Sequence, residues 1–335
     1  MGVYIIAEAG VNHNGDINIA KEMIRQAKNC GCNCIKFQTY KTEALVTRTA
    51  KKANYQVTNT HNDDSQYQML KQLELSFDDF RELKDLCEQI GIDFMSTPFD
   101  CASVDLLEEL GMNTYKMSSG DITNKQLLQY VAKQQKPMIV STGMCTMEEV
   151  REAIDWIEAC GNHKITLLHC TSNYPAPYEE VNMNAMLTLR KEFPYRVGYS
   201  DHTKGIVIPV MACAMGAQVL EKHFTLDKTM EGPDHKASLD IDELRDMVEA
   251  VRNIEKAFGD GQKKPTKSEM NTREVARKSV VLNHDKKKDQ IILIEDLTLK
   301  RPGNGIAPKY MEDLVGKRLK RNIAADTSLC WEDMY

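Results

Sequence analysis

The sequence predicts an α/β chain, a (β/α)₈ barrel followed by a small C-terminal domain, on three observations. From residue 1 to about 258, eight short β-type runs alternate with amphipathic stretches whose apolar residues recur at three and four. Polar side chains gather where those runs stop, and the active site of such a barrel lies at the C-terminal ends of its strands. The composition then breaks abruptly at Gly259-Asp260-Gly261-Gln262-Lys263-Lys264-Pro265. An open doubly wound sheet would also alternate strands and helices, but no GxGxxG follows the first run.

Taken in order, the strand candidates are Tyr4 to Ala9, Cys34 to Gln38, Asp93 to Ser96, Thr114 to Met117, Met138 to Ser141, Ile165 to His169, Arg196 to Ser200 and Gln218 to His223. Helical periodicity covers stretches such as Ile17 to Asn29, Phe77 to Ile90, Ser103 to Leu110, Met147 to Ala159 and Ile241 to Ala257. Thr146 followed by Glu149 reads as a capping box, and Gly31, Gly91, Gly111 and Gly161 stand just past helices as stops. A long polar loop runs from Thr39 to about Leu75, a length expected of a functional or mobile segment. These signals divide the chain into a barrel over 1–258, a linker over 259–275 and a small domain over 276–335. The last contains Ser279 to Asn283, Ile291 to Thr298 and the turn Arg301-Pro302-Gly303-Asn304-Gly305.

Composition narrows the classes of function. A chain of 335 residues that is 42% hydrophobic can bury a large core, and a net charge of −6 argues against a nucleic-acid or anionic-membrane partner. The apolar run from Val3 to Ala9 is too short for a signal peptide, so a cytoplasmic location is the expectation. The ten cysteines are scattered, and Cys30-x-Cys32-x-Cys34 lacks the CxxC pairing of zinc sites. Reduced thiols that pack as small hydrophobes are expected.

The strand ends carry the chemistry. Residues two apart on a strand share a face, so Ser200 with His202, and Glu221 with His223, each point one way. Two imidazoles from neighbouring strands can grip one metal ion, and such ligation suits Mn²⁺ better than Mg²⁺. Glu8, Lys36, Gln38, Thr97, Lys116, Ser118, Ser119, Ser141 and the run Thr171-Ser172-Asn173-Tyr174 complete the inventory. Two lysines among hydroxyls and amides describe a pocket for a small phosphorylated anion. Glu8 could bind sugar hydroxyls, act as a base or neutralise Lys36.

These residues in this order resemble the bacterial sialic-acid (nonulosonate) synthase family. The likeness covers Ala7-Glu8-Ala9-Gly10-Val11-Asn12-His13-Asn14-Gly15, Lys36-Phe37-Gln38-Thr39, Ser96-Thr97-Pro98-Phe99-Asp100 and Lys116-Met117-Ser118-Ser119-Gly120-Asp121. It continues through Ser141-Thr142-Gly143-Met144, Asn173-Tyr174-Pro175, Ser200-Asp201-His202-Thr203, Glu221-Lys222-His223-Phe224-Thr225 and Gly232-Pro233-Asp234-His235. The tail resembles that family's antifreeze-like SAF domain, of the β-clip type.

The resemblance implies a condensation of phosphoenolpyruvate with an N-acetylated mannosamine-type sugar, releasing phosphate by C–O cleavage. It implies Mn²⁺ on His202 and His223, with Mg²⁺ or Co²⁺ as alternatives, and a catalytic set of Glu8, His202, His223 and Glu221. It further implies phosphoenolpyruvate among Lys36, Thr97, Lys116, Ser119, Ser141, Asn173 and Ser200, and the sugar held by Glu8, Gln38, Tyr174, Asp234 and Arg301. Arg301 would come from the partner of a domain-swapped homodimer. Another phosphoenolpyruvate-dependent deoxy-ulosonate synthase on the same barrel, and a non-catalytic carbohydrate- or ice-binding protein, are the competing readings.

Overall fold

All eight expected strands form: β1 (Tyr4–Gly10), β2 (Cys34–Thr39), β3 (Asp93–Pro98), β4 (Tyr115–Met117), β5 (Met138–Ser141), β6 (Ile165–Cys170), β7 (Arg196–Asp201) and β8 (Val219–His223). This computed structural model describes residues 2–60 and 64–335, divided into one unit ending at Phe258 and a second spanning Gly259–Tyr335. The strands run parallel in the order β3-β2-β1-β8-β7-β6-β5-β4. β3 and β4 pack side by side where the ring closes, without a shared ladder among the described residues. The helices Ile17–Asn29, Phe77–Ile90, Cys101–Glu109, Lys125–Ala132, Met147–Glu158, Asn184–Glu192, Val207–Ala214 and Ile241–Ala257 alternate with the strands.

Strand parity separates two cores. Ile5, Ala7 and Ala9 of β1 join the large cluster shared with the helices. Ile6 belongs to a small cluster with Cys34, Met95, Ile139, Leu168 and Val219. Those six residues plug the barrel. Two residues further along each strand, on the same face, come Glu8, Lys36, Thr97, Ser141, Cys170 and Glu221, so a polar layer rests directly on the apolar plug. Gly198 takes the corresponding place on β7. A Cβ there would lie 2.2 Å from the Val219 carbonyl oxygen and 2.8 Å from Leu168, so the plug has no room for any larger residue.

The predicted helix signals are present. Thr146 and Glu149 form a reciprocal capping box, and Gly31, Gly91, Gly111 and Gly161 all have positive φ. The stretch after β2, read as a long loop, contains the helices Thr42–Leu45, Asn54–Thr60 and Gln66–Leu73, while its residues 61–63 lie outside the described residues. Glu74 ties this excursion together by accepting from the Thr42 N–H at 3.0 Å and the Thr42 hydroxyl at 2.7 Å, beside Lys41 and Lys71. All ten cysteines are free, and Cys30, Cys32 and Cys34 are buried as packing residues.

In the second unit, helix Glu269–Ala276 occupies part of the stretch expected to be a linker, so ordered structure begins earlier than the change of composition suggested. β9 (Ser279–Leu282) and β10 (Leu297–Lys300) pair antiparallel over a core that includes Val280, Leu282, Ile292, Leu297, Leu314 and Leu329. Among the described residues no helix is long and apolar enough to cross a membrane.

The most deeply buried ion pair belongs to the outer face of the barrel wall. Lys222 is fully buried and donates to Asp201 Oδ2 at 2.5 Å and to the Thr203 carbonyl. Asp201 also accepts from the Tyr199 hydroxyl and from the N–H and hydroxyl of Thr203. Removing one partner leaves an uncompensated buried charge, so Asp201→Ala is expected to destabilise the protein by about 3–5 kcal/mol in denaturant unfolding. The paired change Asp201→Asn with Lys222→Met should be milder, and a loss below about 1 kcal/mol for the alanine variant would contradict this role.

A second expectation concerns acid. Burial alone would raise the Glu74 pKa, but its bonds from Thr42, Lys41 and Lys71 lower it from 4.5 to about 2. A carboxylate depressed on folding stabilises the native state above its unfolded pKa. Its contribution is therefore complete above pH 4.5 and disappears as pH falls toward 2. Proteolysis of the 40–75 segment should rise across that window in the native protein and rise at all pH values in Glu74→Gln. An identical pH profile in both would remove Glu74 from the account.

Candidate active site

Four charged side chains meet on the apolar plug. Glu8 on β1 stands opposite Lys36 on β2 and opposite His223 on β8, because β1 pairs with both neighbours. Lys36 Nζ lies 2.7 Å from Glu8 Oε2, yet that oxygen has no well-aligned hydrogen bond, so the contact is chiefly electrostatic. Glu221 on β8 lies between both lysines, 3.8 Å from Lys36 and 3.5 Å from Lys116 of β4. All four are at least 96% buried. Buried charges survive only when paired, and two ammoniums with two carboxylates make a neutral set.

Their protonation follows from that geometry. Burial raises Glu8 to about 7, with Lys36 opposing and Glu221 reinforcing the rise. Burial also pushes Glu221 upward, but Lys116, Lys36 and the Ser200 hydroxyl hold it down at about 2. Lys116 is lowered by burial, whereas for Lys36 the two carboxylates overcome burial and raise it. Of the two carboxylates, Glu8 is thus the one whose proton can come and go near neutrality.

Hydroxyls and amides surround the charges. Lys36 donates to Thr97 Oγ1 at 3.1 Å, Gln38 Nε2 donates to Glu8 Oε1 at 3.3 Å, and Ser200 Oγ donates to Glu221 Oε1 at 2.8 Å. Ser141 Oγ is buried with no hydrogen-bond partner, which leaves it available to a ligand. Ser119 Oγ accepts from the Gly143 N–H at 2.9 Å. A Cβ on Gly143 would lie 2.3 Å from Ser172 Oγ and 2.8 Å from Ser119 Oγ, so a glycine is needed for these two hydroxyls to converge.

The histidines lie alongside. Their ring centroids are 5.4 Å apart. His202 Nδ1 is 2.7 Å from the Thr171 carbonyl, to which it donates, leaving Nε2 as the nitrogen open to a ligand; burial would lower its pKa, but Cys170 and this bond raise it to about 8. Burial, followed by His202 and Lys36, pushes His223 well below its ordinary pKa, and its Nδ1 is buried without a hydrogen-bond partner, 4.0 Å from Asp234 Oδ2. Two neighbouring imidazoles are donors that fit a divalent cation with open coordination positions. Among the described residues no group of three His, Cys, Asp or Glu side chains is placed to hold a metal ion, so the two rings would be its only protein ligands of these types.

The barrel thus brings together Glu8, Lys36, Gln38, Thr97, Lys116, Ser119, Ser141, Ser200, His202, Glu221, His223 and Asp234 at one end. Tyr174 joins them, its ring 4.1 Å from His202 and edge-on to His223 at 5.6 Å. Asn173 is exposed, and its side chain accepts from the Tyr174 N–H at 3.0 Å, folding back on its own loop. Arg301 belongs to the second unit, exposed in the turn after β10.

Three further residues stand around the site, and two of them, Ser172 and Tyr55, had no strand parity to point to them. Ser172 reaches the Gly143 cradle, Cys170 Sγ lies 3.7 Å from His202 Nδ1, and Tyr55 stacks on Tyr174. For Cys170, the step of two from Leu168 was available as a signal.

Comparison with known proteins covers both units of the chain. Residues 23–263 match the NeuB family and residues 277–334 match the SAF domain. The chain is 49% identical over 336 residues to the N,N'-diacetyllegionaminic acid synthase of Legionella pneumophila, covering 99% of this chain and 94% of that protein. It is 38% identical over 332 residues to the human N-acetylneuraminate-9-phosphate synthase, covering 98% and 92%. The crystal structure of an N-acetylneuraminic acid (sialic acid) synthetase from Leptospira borgpetersenii superposes with a TM-score of 0.72 at 35% identity, over 81% of this chain and 90% of that one. On matches spanning nearly its whole length, the chain belongs to the NeuB family and carries a SAF domain at its C-terminus.

Proposed function

We propose that the chain condenses phosphoenolpyruvate with an N-acetylated mannosamine-type sugar to give a nonulosonic acid and phosphate. The observation that carries this reading is the convergence of two buried lysines, Lys36 and Lys116, on Glu221 beside the paired imidazoles. The names of the Legionella and human relatives support a synthase of this class, and the higher identity to the legionaminic acid enzyme favours the 2,4-diacetamido-6-deoxy sugar over N-acetylmannosamine.

In this reading Lys36, Thr97, Lys116, Ser119, Ser141 and Ser200 hold the phosphate and carboxylate of phosphoenolpyruvate, with Asn173 at the rim. Ammonium groups balance its charge and hydroxyls fix its direction. Glu8, Gln38, Tyr174 and Asp234 hold the sugar. C3 of the enol attacks the sugar's open-chain aldehyde carbon, and the aldehyde oxygen takes up a proton. Glu8, near pKa 7, carries that proton at its carboxyl. Water adds at C2 and releases a proton, and the C2–O bond to phosphate then breaks. Glu221 stays ionised throughout and keeps the two lysines protonated and in place.

His202 and His223 would hold Mn²⁺, or alternatively Mg²⁺ or Co²⁺, which when bound supplies a Lewis acid to polarise the aldehyde. A homodimer in the cytoplasm, with Arg301 of one copy reaching the N-acetyl group in the site of the other, completes the proposal.

The direct experiment measures phosphate released from phosphoenolpyruvate with each of the two sugars, before and after chelation and with Mn²⁺ restored. Turnover that returns with Mn²⁺ and favours the diacetamido sugar is the expected result; no phosphate from either sugar with metal present would sink the proposal. His223→Ala should lower metal-dependent turnover at least a hundredfold, since polarisation by a cation is worth several kcal/mol. Arg301→Ala should raise the sugar KM about tenfold with kcat nearly unchanged. A large kcat loss at constant sugar KM in Arg301→Ala would contradict its assignment as a binding group.

A further inference from the structure

The helix Asn54–Thr60 in the β2 excursion touches two different arms of the site. Near its N-terminus, the Tyr55 ring stacks on Tyr174 with centroids 5.0 Å apart and an interplanar angle of 29°. Tyr174 is the residue whose other neighbours are His202 and His223. Four residues on, one turn along the same face, the buried Asn59 donates from Nδ2 to the Pro233 carbonyl at 2.6 Å. Pro233 immediately precedes Asp234, which faces His223. One helical turn therefore holds the arm after β6 through an aromatic face and the arm after β8 through a backbone carbonyl.

Each arm has further supports on the far side. The Asp234 arm is fastened to the loop after β1: Asn12 Nδ2 donates to Ser238 Oγ at 2.8 Å, and Ser238 donates to the Asp234 carbonyl at 2.8 Å. Asn14 Nδ2 donates to the Glu231 carbonyl at 3.0 Å. The Tyr174 ring has a different set of neighbours: His202 at 4.1 Å, Tyr55 at 5.0 Å and His223 edge-on at 5.6 Å. Removing Tyr55 thus withdraws the one of these three rings that does not belong to a barrel histidine.

We infer that Tyr55 and Asn59 form a strap that positions Tyr174 and Asp234, so that this helix, which contributes nothing to the lysine cradle, governs affinity for the sugar. The inference rests on the proposed assignment of Tyr174 and Asp234 to the sugar. Tyr55 is a positioning residue, and its ring acts through Tyr174 rather than through its own hydroxyl.

The test uses the full-length enzyme and steady-state phosphate release with the sugar that it turns over. Tyr55→Ala is expected to raise the sugar KM about three- to tenfold, the scale of an aromatic pair, with the phosphoenolpyruvate KM within about twofold of the parent. Tyr55→Phe keeps the stack and should restore the parent value. Asn59→Ala should shift the sugar KM in the same direction. The double variant should be no worse than about the larger single effect, because residues acting through one element couple. The inference is overturned if Tyr55→Ala leaves the sugar KM unchanged, raises both KM values alike, or is matched by Tyr55→Phe. Fully additive effects of the two alanines would overturn the single strap. If Tyr55→Ala does not fold, Tyr55→Leu, which keeps the bulk without the aromatic face, takes its place under the same criteria. An enzyme inactive with every hexosamine refutes the proposed function instead, and parent turnover distinguishes the two failures.

Discussion

The neutral set of Glu8, Lys36, Glu221 and Lys116 is the constraint on which the rest of the structure depends. None of the four can be buried alone, because an unpaired ion on an apolar floor would shed its charge or unfold its surroundings. They come from β1, β2, β8 and β4, so the set exists only if the first strand pairs with the last. Barrel closure is thus both a consequence of hydrophobic packing and the condition for charge balance. Register is equally constrained: slipping β1 by one residue would turn Glu8 toward the helices and bring Ala7 to face Lys36.

The pairs inside the set are unequal, and the inequality has chemical consequences. Lys36 meets Glu8 at 2.7 Å, while Glu221 stands 3.5 and 3.8 Å from its two lysines. Glu221 Oε2 and Ser141 Oγ are both buried without hydrogen bonds. Electrostatic attraction at a buried site holds Glu221 and the lysines together without exhausting their donors, and those donors can turn to an entering anion at little reorganisation cost. The site is therefore charge-balanced before a substrate arrives but not hydrogen-bond-saturated. Glu8, the carboxylate whose proton is labile near pH 7, is the member that can adjust the balance when an anion enters.

Much of this was legible in the sequence because strands obey a period of two. Once the eight runs are aligned, Glu8, Lys36, Thr97, Lys116, Ser141, Ser200 and Glu221 fall on one face, with His223 one step further along β8 on that face, and the histidine pair follows from the last two strands. The same rule separates Lys222 from its neighbours, since its place between Glu221 and His223 turns it outward to Asp201. Loops have no such period. Ser172 and Asn173 are indistinguishable as sequence, and it takes the backbone path to show that Ser172 faces Gly143 while Asn173 bonds its neighbour's N–H. The helices of the β2 excursion and helix Glu269–Ala276 were hidden for a related reason. They are short, and Asn54–Thr60 and Glu269–Ala276 bury no apolar side chain, so no apolar stripe marked those two in the sequence.

The two kinds of legibility divide the proposed sugar site itself. Glu8 and Gln38 stand on strand ends, where packing on both sides fixes each rotamer. Tyr174 and Asp234 lie on the connections after β6 and β8, where Tyr55 and Asn59 of the β2 excursion hold them. A connection can be remodelled without disturbing the plug, whereas a strand end cannot move without breaking the neutral set. Loops that can change while the strand ends stay fixed suit a barrel whose relatives bear the names of synthases for legionaminic acid and for N-acetylneuraminate 9-phosphate.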